Sequence, residues 1–247
     1  MATLIEAPQL ELAVENADGV RLAASVGAAR VELCAALAET DGITPSIGTV
    51  EQACRVGLPV HVLVRPRPGN FTYTPVELEV LERDVEAVLE AGAAGVVVGI
   101  LAADGGPDVP ALQHLAEAAR RRHPAAEVTF HRAFDTALAS GVDPADALAR
   151  LERAGVTRVL TSGGSPDCTA GLPMLARLVE LGRDHAPSVQ IMAGGGVRLE
   201  LMPALIRSGV HAVHTSARGL DPATGARAGS ADPWLAAGMA AALRKAA

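Results

Sequence analysis

The chain alternates short apolar runs with longer segments in which apolar residues recur at helical spacing. A five-residue phrase that begins with glycine appears four times, and each copy closes a helical segment and opens an apolar run. The four copies begin at Gly27, Gly92, Gly155 and Gly209. Repetition of this kind indicates one supersecondary unit that is used several times.

Eight apolar runs predict eight strands, and a helical pattern follows each of them. The predicted strands cover residues 9–14, 29–34, 59–65, 95–101, 127–133, 158–162, 189–193 and 212–217. Strict alternation of strand and helix predicts a parallel sheet, because parallel neighbours are joined by a crossover that is usually helical. Eight units predict an α/β protein with a single (β/α)8 TIM-like barrel, one domain over residues 1–247. The alternative, an open doubly wound sheet, would carry about six strands and a G-x-G-x-x-G turn after the first.

Helix start signals support the helical segments between these strands. Thr74 and Glu77 form a capping-box pattern, with Pro75 at the first helical position. Asp143 and Asp232 each precede a proline, which predicts two further helix starts. Residues 219–231 show no apolar period and predict a long loop after the eighth strand, near the barrel mouth.

Composition and charge narrow the classes of partner. Hydrophobic residues make up 49% of the chain and charged residues 20%, which is ample apolar material for a closed core. The net charge of −7 disfavours a nucleic-acid partner, because phosphate binding relies on clustered Lys and Arg. No run reaches the ~18 apolar residues that span a bilayer, so no membrane partner is expected.

The cysteine count and the N-terminus together predict a cytoplasmic protein. Cys34, Cys54 and Cys168 are odd in number and form no C-x-x-C pair, which suits a reducing compartment and disfavours structural zinc. The first nine residues lack the basic and apolar regions of a secretory signal.

The period of two along each strand selects the side chains that face the barrel lumen. Glu11 on the first strand, Glu32 and Cys34 on the second, and His214 on the eighth all face inward by this rule. Because strands eight, one and two become neighbours when a barrel closes, we expect the two glutamates and the histidine to lie together. The third strand presents Arg65 inward by the same parity.

The end of the fifth strand carries a dense polar run. His131, Arg132 and Asp135 fall within five residues, at the end of a barrel where active sites lie. His131 is a candidate general acid or base, because an unperturbed imidazole has a pKa near ~6.5. Asp135 is a candidate catalytic carboxylate, and the alternative is that it only anchors Arg132. His61, deeper in its strand, is interpreted as a core histidine.

Arginines near the strand ends predict that the buried carboxylates are neutralised within the cluster. These are Arg65, Arg67, Arg132 and Arg218, and the last three are also candidate anion-binding residues. A catalytic or ligand-binding cluster is the favoured interpretation, and a structural network of ion pairs is the alternative.

Glycines after the seventh strand predict a site for an anion. Backbone amides of Gly194, Gly195 and Gly196 can approach an anion closely, and Ser216 and Arg218 follow the eighth strand. The alternative is a tight turn that needs positive φ, which explains one or two glycines more easily than three.

Seven segments taken together carry a family resemblance. They are V-E-L-C at 31–34, I-T-P-S at 43–46, V-R-P-R at 64–67, F-H-R-A-F-D at 130–135, L-T-S-G at 160–163, G-G-G at 194–196 and H-T-S-A-R at 214–218. In this order the chain resembles the copper homeostasis protein CutC family, over a span from about Leu10 to Arg218. The resemblance implies a TIM-like barrel in the cytoplasm that is assigned to copper binding or copper tolerance. It also implies Cu(I) as a ligand, with Cys34 as the candidate metal-binding residue.

The chain departs from that family pattern at soft donors, which Cu(I) prefers. Related sequences often carry cysteine where this chain has Ala13, and methionine near the position of Leu63. Met192, His131 and His214 could complete a copper site with Cys34.

Three functions therefore remain open at the level of sequence. The chain could be a copper homeostasis protein, a barrel enzyme of lyase or isomerase type, or a barrel that binds a ligand without turnover. As an enzyme, it would hold a small phosphorylated or carboxylated metabolite with Arg65 and Arg218. His131 or His214 would then move a proton, with Glu11 or Glu32 as partner.

A homodimer is the expected assembly, because it is the commonest one.

Overall fold

The computed structural model describes residues 7–219 and 229–245. Its strands are β1 (Gln9–Val14), β2 (Arg30–Leu33), β3 (Val60–Leu63), β4 (Gly95–Val98), β5 (Glu127–Phe130), β6 (Arg158–Thr161), β7 (Gln190–Gly194) and β8 (Ala212–Thr215). Its helices are α1 (Ala17–Val26), α2 (Leu37–Thr40), α3 (Ile47–Cys54), α4 (Pro75–Glu90), α5 (Val109–Arg122), α6 (Ala133–Ala139), α7 (Pro144–Arg153), α8 (Cys168–His185), α9 (Met202–Ser208) and α10 (Pro233–Arg244), with a 3-10 turn at Leu199–Leu201.

The eight strands form a closed barrel in chain order, and every neighbouring pair is parallel. The predicted (β/α)8 barrel is confirmed, and each observed strand lies inside a predicted run or extends it by one residue at most. Strands β2 to β6 and β8 end earlier than predicted. At the end of β5, for example, Ala133 already begins α6, because the chain turns at His131 and Arg132.

The predicted helix starts are also confirmed. Thr74 and Glu77 form a complete capping box at α4, and Asp143 and Asp232 cap α7 and α10 with Pro at the first turn. The four glycines of the repeated phrase all have positive φ, between 72° and 103°. A residue with a side chain adopts that conformation at a cost, so the repeat marks the turn from each helix into its strand.

Apolar side chains divide into an outer core and two small groups in the lumen. Leu10, Leu12 and Val14 on β1 pack outward against the helices, as the alternation predicts. Inside the barrel, one apolar group comprises Cys34, Leu63 and Val97, and the other comprises Leu160, Met192 and Ala212. Buried polar and charged side chains on the strands, among them Glu11, Glu32 and His61, also face the lumen, so the barrel interior is the candidate functional site.

Part of the chain lies outside this description. Most of the loop predicted over residues 219–231 falls there, and the prediction that all 247 residues form one domain stays a prediction. None of the helices within the described residues combines the length and the hydropathy that crossing a membrane requires.

Glycines on inward-facing positions make room for lumen histidines. The pairs are Gly95 with His61, Gly99 with His131, and Gly194 with His214. A Cβ added at Gly99 would lie 2.0 Å from Cε1 of His131, which is a severe overlap. The ring cannot move aside easily, because its Nδ1 accepts a hydrogen bond from the Ala133 amide.

We expect Gly99→Ala to destabilise the protein by about 1–3 kcal/mol, the usual cost of overpacking a rigid interior. The matched control is Gly48→Ala on α3, where a Cβ meets no atom within 4 Å and helix propensity favours alanine. Urea unfolding of both variants measures the difference. Equal stability of the two variants would contradict the packing argument.

Candidate functional site

Three charged side chains meet in the lumen where β8, β1 and β2 adjoin. Glu11 and His214 are register partners on β1 and β8, and Nδ1 of His214 lies 2.7 Å from Oε1 of Glu11. Glu32 joins them from β2: its carboxylate, that of Glu11 and a ring nitrogen of His214 all lie within 4.8 Å of one another. The sequence prediction that these residues gather is therefore met in the structure.

Glu11 is held as a carboxylate. Its Oε2 accepts a hydrogen bond from Nε of Arg30 at 2.5 Å, and its side chain is fully buried. Burial raises the pKa of Glu11, but the hydrogen bond from His214 and the charges of His214 and Arg30 hold it well below its ordinary value. Burial lowers the pKa of His214, yet the hydrogen bond to Glu11 and the charges of Glu32 and Glu11 raise it overall. The pair therefore favours an imidazolium beside a carboxylate.

Glu32 has the opposite character. Its Oε2 is buried and has no hydrogen-bond partner among the described residues. Burial raises the pKa of Glu32 to about 7, with the charge of His214 opposing that rise and the charge of Glu11 adding to it. Two carboxylates within one cluster thus differ in protonation at neutral pH, which is how acid and base roles are divided in many active sites.

His131 contributes a second buried imidazole at the end of β5. Nδ1 accepts the Ala133 amide at 3.1 Å, so a neutral ring carries its proton on Nε2, which has no partner among the described residues. Burial, together with the charge of Arg65, lowers the pKa of His131 to about 3. The ring of Phe71 lies 4.8 Å from it, centroid to centroid. His131 therefore presents a neutral N–H donor.

Arg65 links the segment that follows β2 to the segment that follows β3 at the barrel mouth. Nη1 donates to the carbonyls of Thr40 and Gly42 at 2.8 Å each, and Nη2 donates to that of Gly69 at 3.3 Å. Its guanidinium lies 5.3 Å from the centroid of the Phe71 ring, while its Nε is buried and unpartnered within the described chain. The Nε–H group of Arg65 is thus a buried donor that no described group uses.

Asp135 organises the loop after β6. Its carboxylate accepts hydrogen bonds from the hydroxyl of Thr161 at 2.5 Å and from the amides of Ser162 and Gly164. Nε of Arg132 donates to its other oxygen at 2.7 Å. Since both oxygens are occupied, the geometry favours the anchoring role over the catalytic one that the sequence also allowed.

Packing explains why each of the three positions in the turn after β7 is a glycine. A Cβ at Gly194 would overlap Leu160, one at Gly195 would lie 2.9 Å from Nη1 of Arg132, and one at Gly196 would overlap Asp167. Gly195 and Gly196 also have positive φ. These contacts support the tight-turn alternative, and an anion at this turn stays a prediction.

The two remaining arginines are already paired. Arg67 faces away from the lumen, where it binds Glu77 and stacks 4.9 Å from the Tyr73 ring centroid. Arg218 is buried and binds Glu15. It follows Ala217, whose φ of 47° is unusual for a residue with a side chain.

Soft donors are separated in the lumen. Cys34 packs with Leu63 and Val97, and its Sγ lies 3.7 Å from the carbonyl of Val14. Met192 belongs to the other apolar group, and its sulfur accepts from Nη2 of Arg30 at 3.6 Å. Burial, with the charges of Glu32 and Glu15, raises the pKa of the Cys34 thiol. The structure thus does not place the two soft side chains in one group.

Sequence reasoning missed a charged layer at the strand starts. Arg30 donates to Glu11 and to Gln9, while Arg158 donates to Glu127 at 2.8 Å and is almost fully buried. The period of two along β2 gives the signal for Arg30, which lies two residues before Glu32 and therefore on the same face of the strand. It lies at the strand start, away from the strand ends that carry the active sites of barrels.

Comparison with known proteins assigns the chain to a family. A model of the CutC family matches residues 8–219. The chain belongs to the CutC family. The resemblance carried by the seven sequence segments is thereby confirmed.

Relatives in this family align over most of the chain. A family protein CutC of Agrobacterium fabrum is 41% identical over 199 residues, which is 81% of this chain and 74% of that protein. One from Yersinia pestis strain Pestoides F is 39% identical over 217 residues, covering 87% and 81%.

Solved structures give the same fold. A crystal structure from Streptococcus agalactiae, provisionally described as a copper homeostasis protein CutC, is 30% identical with a TM-score of 0.74. It covers 84% of this CutC-family chain and 98% of its own. Thiamine phosphate pyrophosphorylase of Pyrococcus furiosus, at 14% identity and a TM-score of 0.61 over 99% of both chains, shares the fold alone.

The raised pKa of Glu32 predicts a pH-dependent contribution to stability. The folded state holds the Glu32 proton up to about pH 7, and the unfolded state holds it only up to about pH 4.5. The contribution of this proton to the free energy of unfolding is therefore largest below pH 4.5. It falls by about 3 kcal/mol as pH rises from 4.5 to 7. Urea unfolding of the wild type and Glu32→Gln across this range measures it. Parallel stability curves for the two proteins would show that Glu32 has an ordinary pKa.

Proposed function

We propose that this CutC-family chain is an enzyme that moves a proton on a small anionic metabolite bound inside the barrel. One observation carries the proposal: Glu32, Arg65 and His131 each bury a polar atom that has no hydrogen-bond partner among the described residues. Unsatisfied buried polar groups are costly and uncommon in native proteins. A polar ligand that bonds to them removes the cost.

Two of these atoms suit an anion. Nε of Arg65 is a charged donor, and Nε2 of His131 is a neutral donor that stays uncharged because burial and Arg65 lower its pKa to about 3. Carboxylate and phosphate oxygens accept such bonds, and a charged donor roughly doubles their strength. The proposed substrate class is therefore a small phosphorylated or carboxylated metabolite.

Glu32 and His214 suit the proton transfer itself. With a pKa of about 7, Glu32 can hold or release a proton near neutral pH, which is where acid-base catalysis is most efficient. Glu11 bonds to Nδ1 of His214, so that the other ring nitrogen is oriented within the cluster. Removal of a proton and its return at another atom is an isomerase reaction, and removal of a proton with loss of a leaving group from the substrate is a lyase reaction; these are the two types that the sequence predicts.

A ligand screen tests this function. We expect at least one phosphorylated or carboxylated metabolite to raise the melting temperature, because a ligand that binds only the folded state stabilises it. Turnover of that metabolite should fall on the order of 10²-fold or more in Glu32→Gln, the typical share of acid-base catalysis.

Arg65→Met should lose the ligand-induced shift, because Nε of Arg65 is one of the proposed donors to the ligand. Arg67→Met is its matched control, since Arg67 follows the same strand but pairs with Glu77, and its shift should equal that of the wild type. If no such metabolite stabilises the wild type, the proposal fails.

Copper is the ligand that the description of the Streptococcus relative suggests, and the donors around Cys34 do not fit Cu(I). The thiol lies among Leu63 and Val97, and its raised pKa opposes the thiolate that binds metal. Met192, the other buried soft donor named by the sequence analysis, packs in a separate group. No step is therefore assigned to copper in this chain.

Titration of the reduced protein with Cu(I) against a competing chelator tests that conclusion. We expect weak binding that is the same in the wild type and in Cys34→Ser. Cys54→Ser is a matched control at a half-buried cysteine outside the lumen. Tight stoichiometric binding that is lost only in Cys34→Ser would restore the copper role.

Location and assembly extend the proposal. The cysteines at 34, 54 and 168 are all free, which supports a reducing compartment such as the cytoplasm. A homodimer is the proposed assembly, and the only support for it is that homodimers are the commonest oligomers.

A further inference from the structure

His61 occupies the lumen on the side of the strand starts and is almost fully buried. Nε2 lies 3.5 Å from Oε2 of Glu127, while Nδ1 has no hydrogen-bond partner among the described residues. Gly95 lies against the Nε2 and Cδ2 edge of the ring, since a Cβ there would be 3.2 Å from both atoms. The Nδ1 edge therefore faces away from β4, towards β2.

Glu32 is the residue that β2 places next to this ring. Glu32 and His61 are Cα partners in the β2–β3 pairing, so their side chains enter the lumen side by side. Each carries one buried atom without a partner, Oε2 on Glu32 and Nδ1 on His61. Two unsatisfied polar atoms on adjacent inward positions are the setting in which a buried water is found.

A cavity connects the other side of His61 to the protein surface. It has a volume of about 310 Å³ and is lined by Gln9, Arg30, His61, His123 and Glu127, at the strand starts. The Glu127 side chain is 44% exposed. Solvent thus reaches Glu127 from the end of the barrel opposite to the strand ends.

We propose that Glu32 exchanges its proton with solvent through His61 and Glu127, by way of a water between Glu32 and His61. The proton leaves Oε2 of Glu32 for the water, and the water gives one of its own protons to Nδ1 of His61. Nε2 of His61 releases its proton to the Glu127 carboxylate, which passes it to bulk water.

The path balances in both directions. One proton leaves, Glu32 becomes a carboxylate, and the His61 ring changes from its Nε2–H to its Nδ1–H tautomer. When a proton returns to Glu32 along the same atoms, the ring regains its first tautomer. Glu32 can therefore regain its original protonation state while a substrate stays bound at the strand ends.

The surroundings of His61 keep its ring neutral, so the ring can relay a proton without remaining protonated. Burial lowers the pKa of His61 to about 4, and Arg158 and Arg30 act in the same direction, while Glu11 and Glu127 oppose them. These groups, with Glu32, are the titratable and charged side chains that face the ring from β1, β2, β5 and β6. The ring therefore stays neutral between transfers.

This inference deepens the proposed function, but its test needs no substrate. Time-resolved infrared spectroscopy after a pH jump follows the carboxylic-acid band that is absent in Glu32→Gln. We expect His61→Phe, which keeps the ring volume and removes both nitrogens, to slow this exchange on the order of 10²-fold. Glu127→Gln should slow it as well, and it carries the test if His61→Phe does not fold.

His123→Gln is the matched control, because His123 lines the same cavity but is exposed and takes no part in the path. It should exchange at the wild-type rate. Wild-type exchange in His61→Phe or, where that variant is unfolded, in Glu127→Gln would overturn the path. The proposed function fails separately if no anionic metabolite binds, whatever the exchange rates are.

Discussion

The pairing of β1 with β8 is the constraint on which the rest of the molecule depends. It closes the barrel and brings Glu11 beside His214, although the two residues are 203 positions apart in the chain. A closed parallel barrel has no exposed sheet edge and encloses a lumen that side chains must fill. In this chain many of the side chains that fill the lumen are charged. The cost of burying those charges therefore determines which groups in the lumen can bind a ligand or transfer a proton.

Buried charges are tolerated only when they are paired, and most of the lumen obeys that rule. Arg30 with Glu11, Arg158 with Glu127 and Asp135 with its amide donors are complete arrangements. The few incomplete groups, Glu32, His61, Arg65 and His131, therefore stand out against a satisfied background. These four groups extend from the strand starts to the strand ends. The ones at the strand ends support the proposed ligand, and His61 at the strand starts supports the proposed proton path.

Glycine has a consistent role in this arrangement. Inward-facing glycines on β4 and β7, and Gly99 just beyond β4, lie against the three lumen histidines and leave them room. A barrel lumen is normally packed with branched apolar side chains, so an imidazole needs a neighbour without a Cβ. In this chain each lumen histidine therefore has a glycine beside it, whether or not the protein binds copper.

The sequence by itself determined the barrel, the strand and helix order, and the meeting of Glu11, Glu32 and His214. Those features follow from periodicity and from the closure of neighbouring strands, which are local or topological rules. Only the tertiary structure decided which polar groups are free. Arg67 and Arg65 look alike in the chain, yet Arg67 pairs with Glu77 and is partly exposed, whereas Arg65 is buried against loop carbonyls at the barrel mouth. Partners of this kind depend on loop paths and rotamers between distant segments, which no local pattern contains.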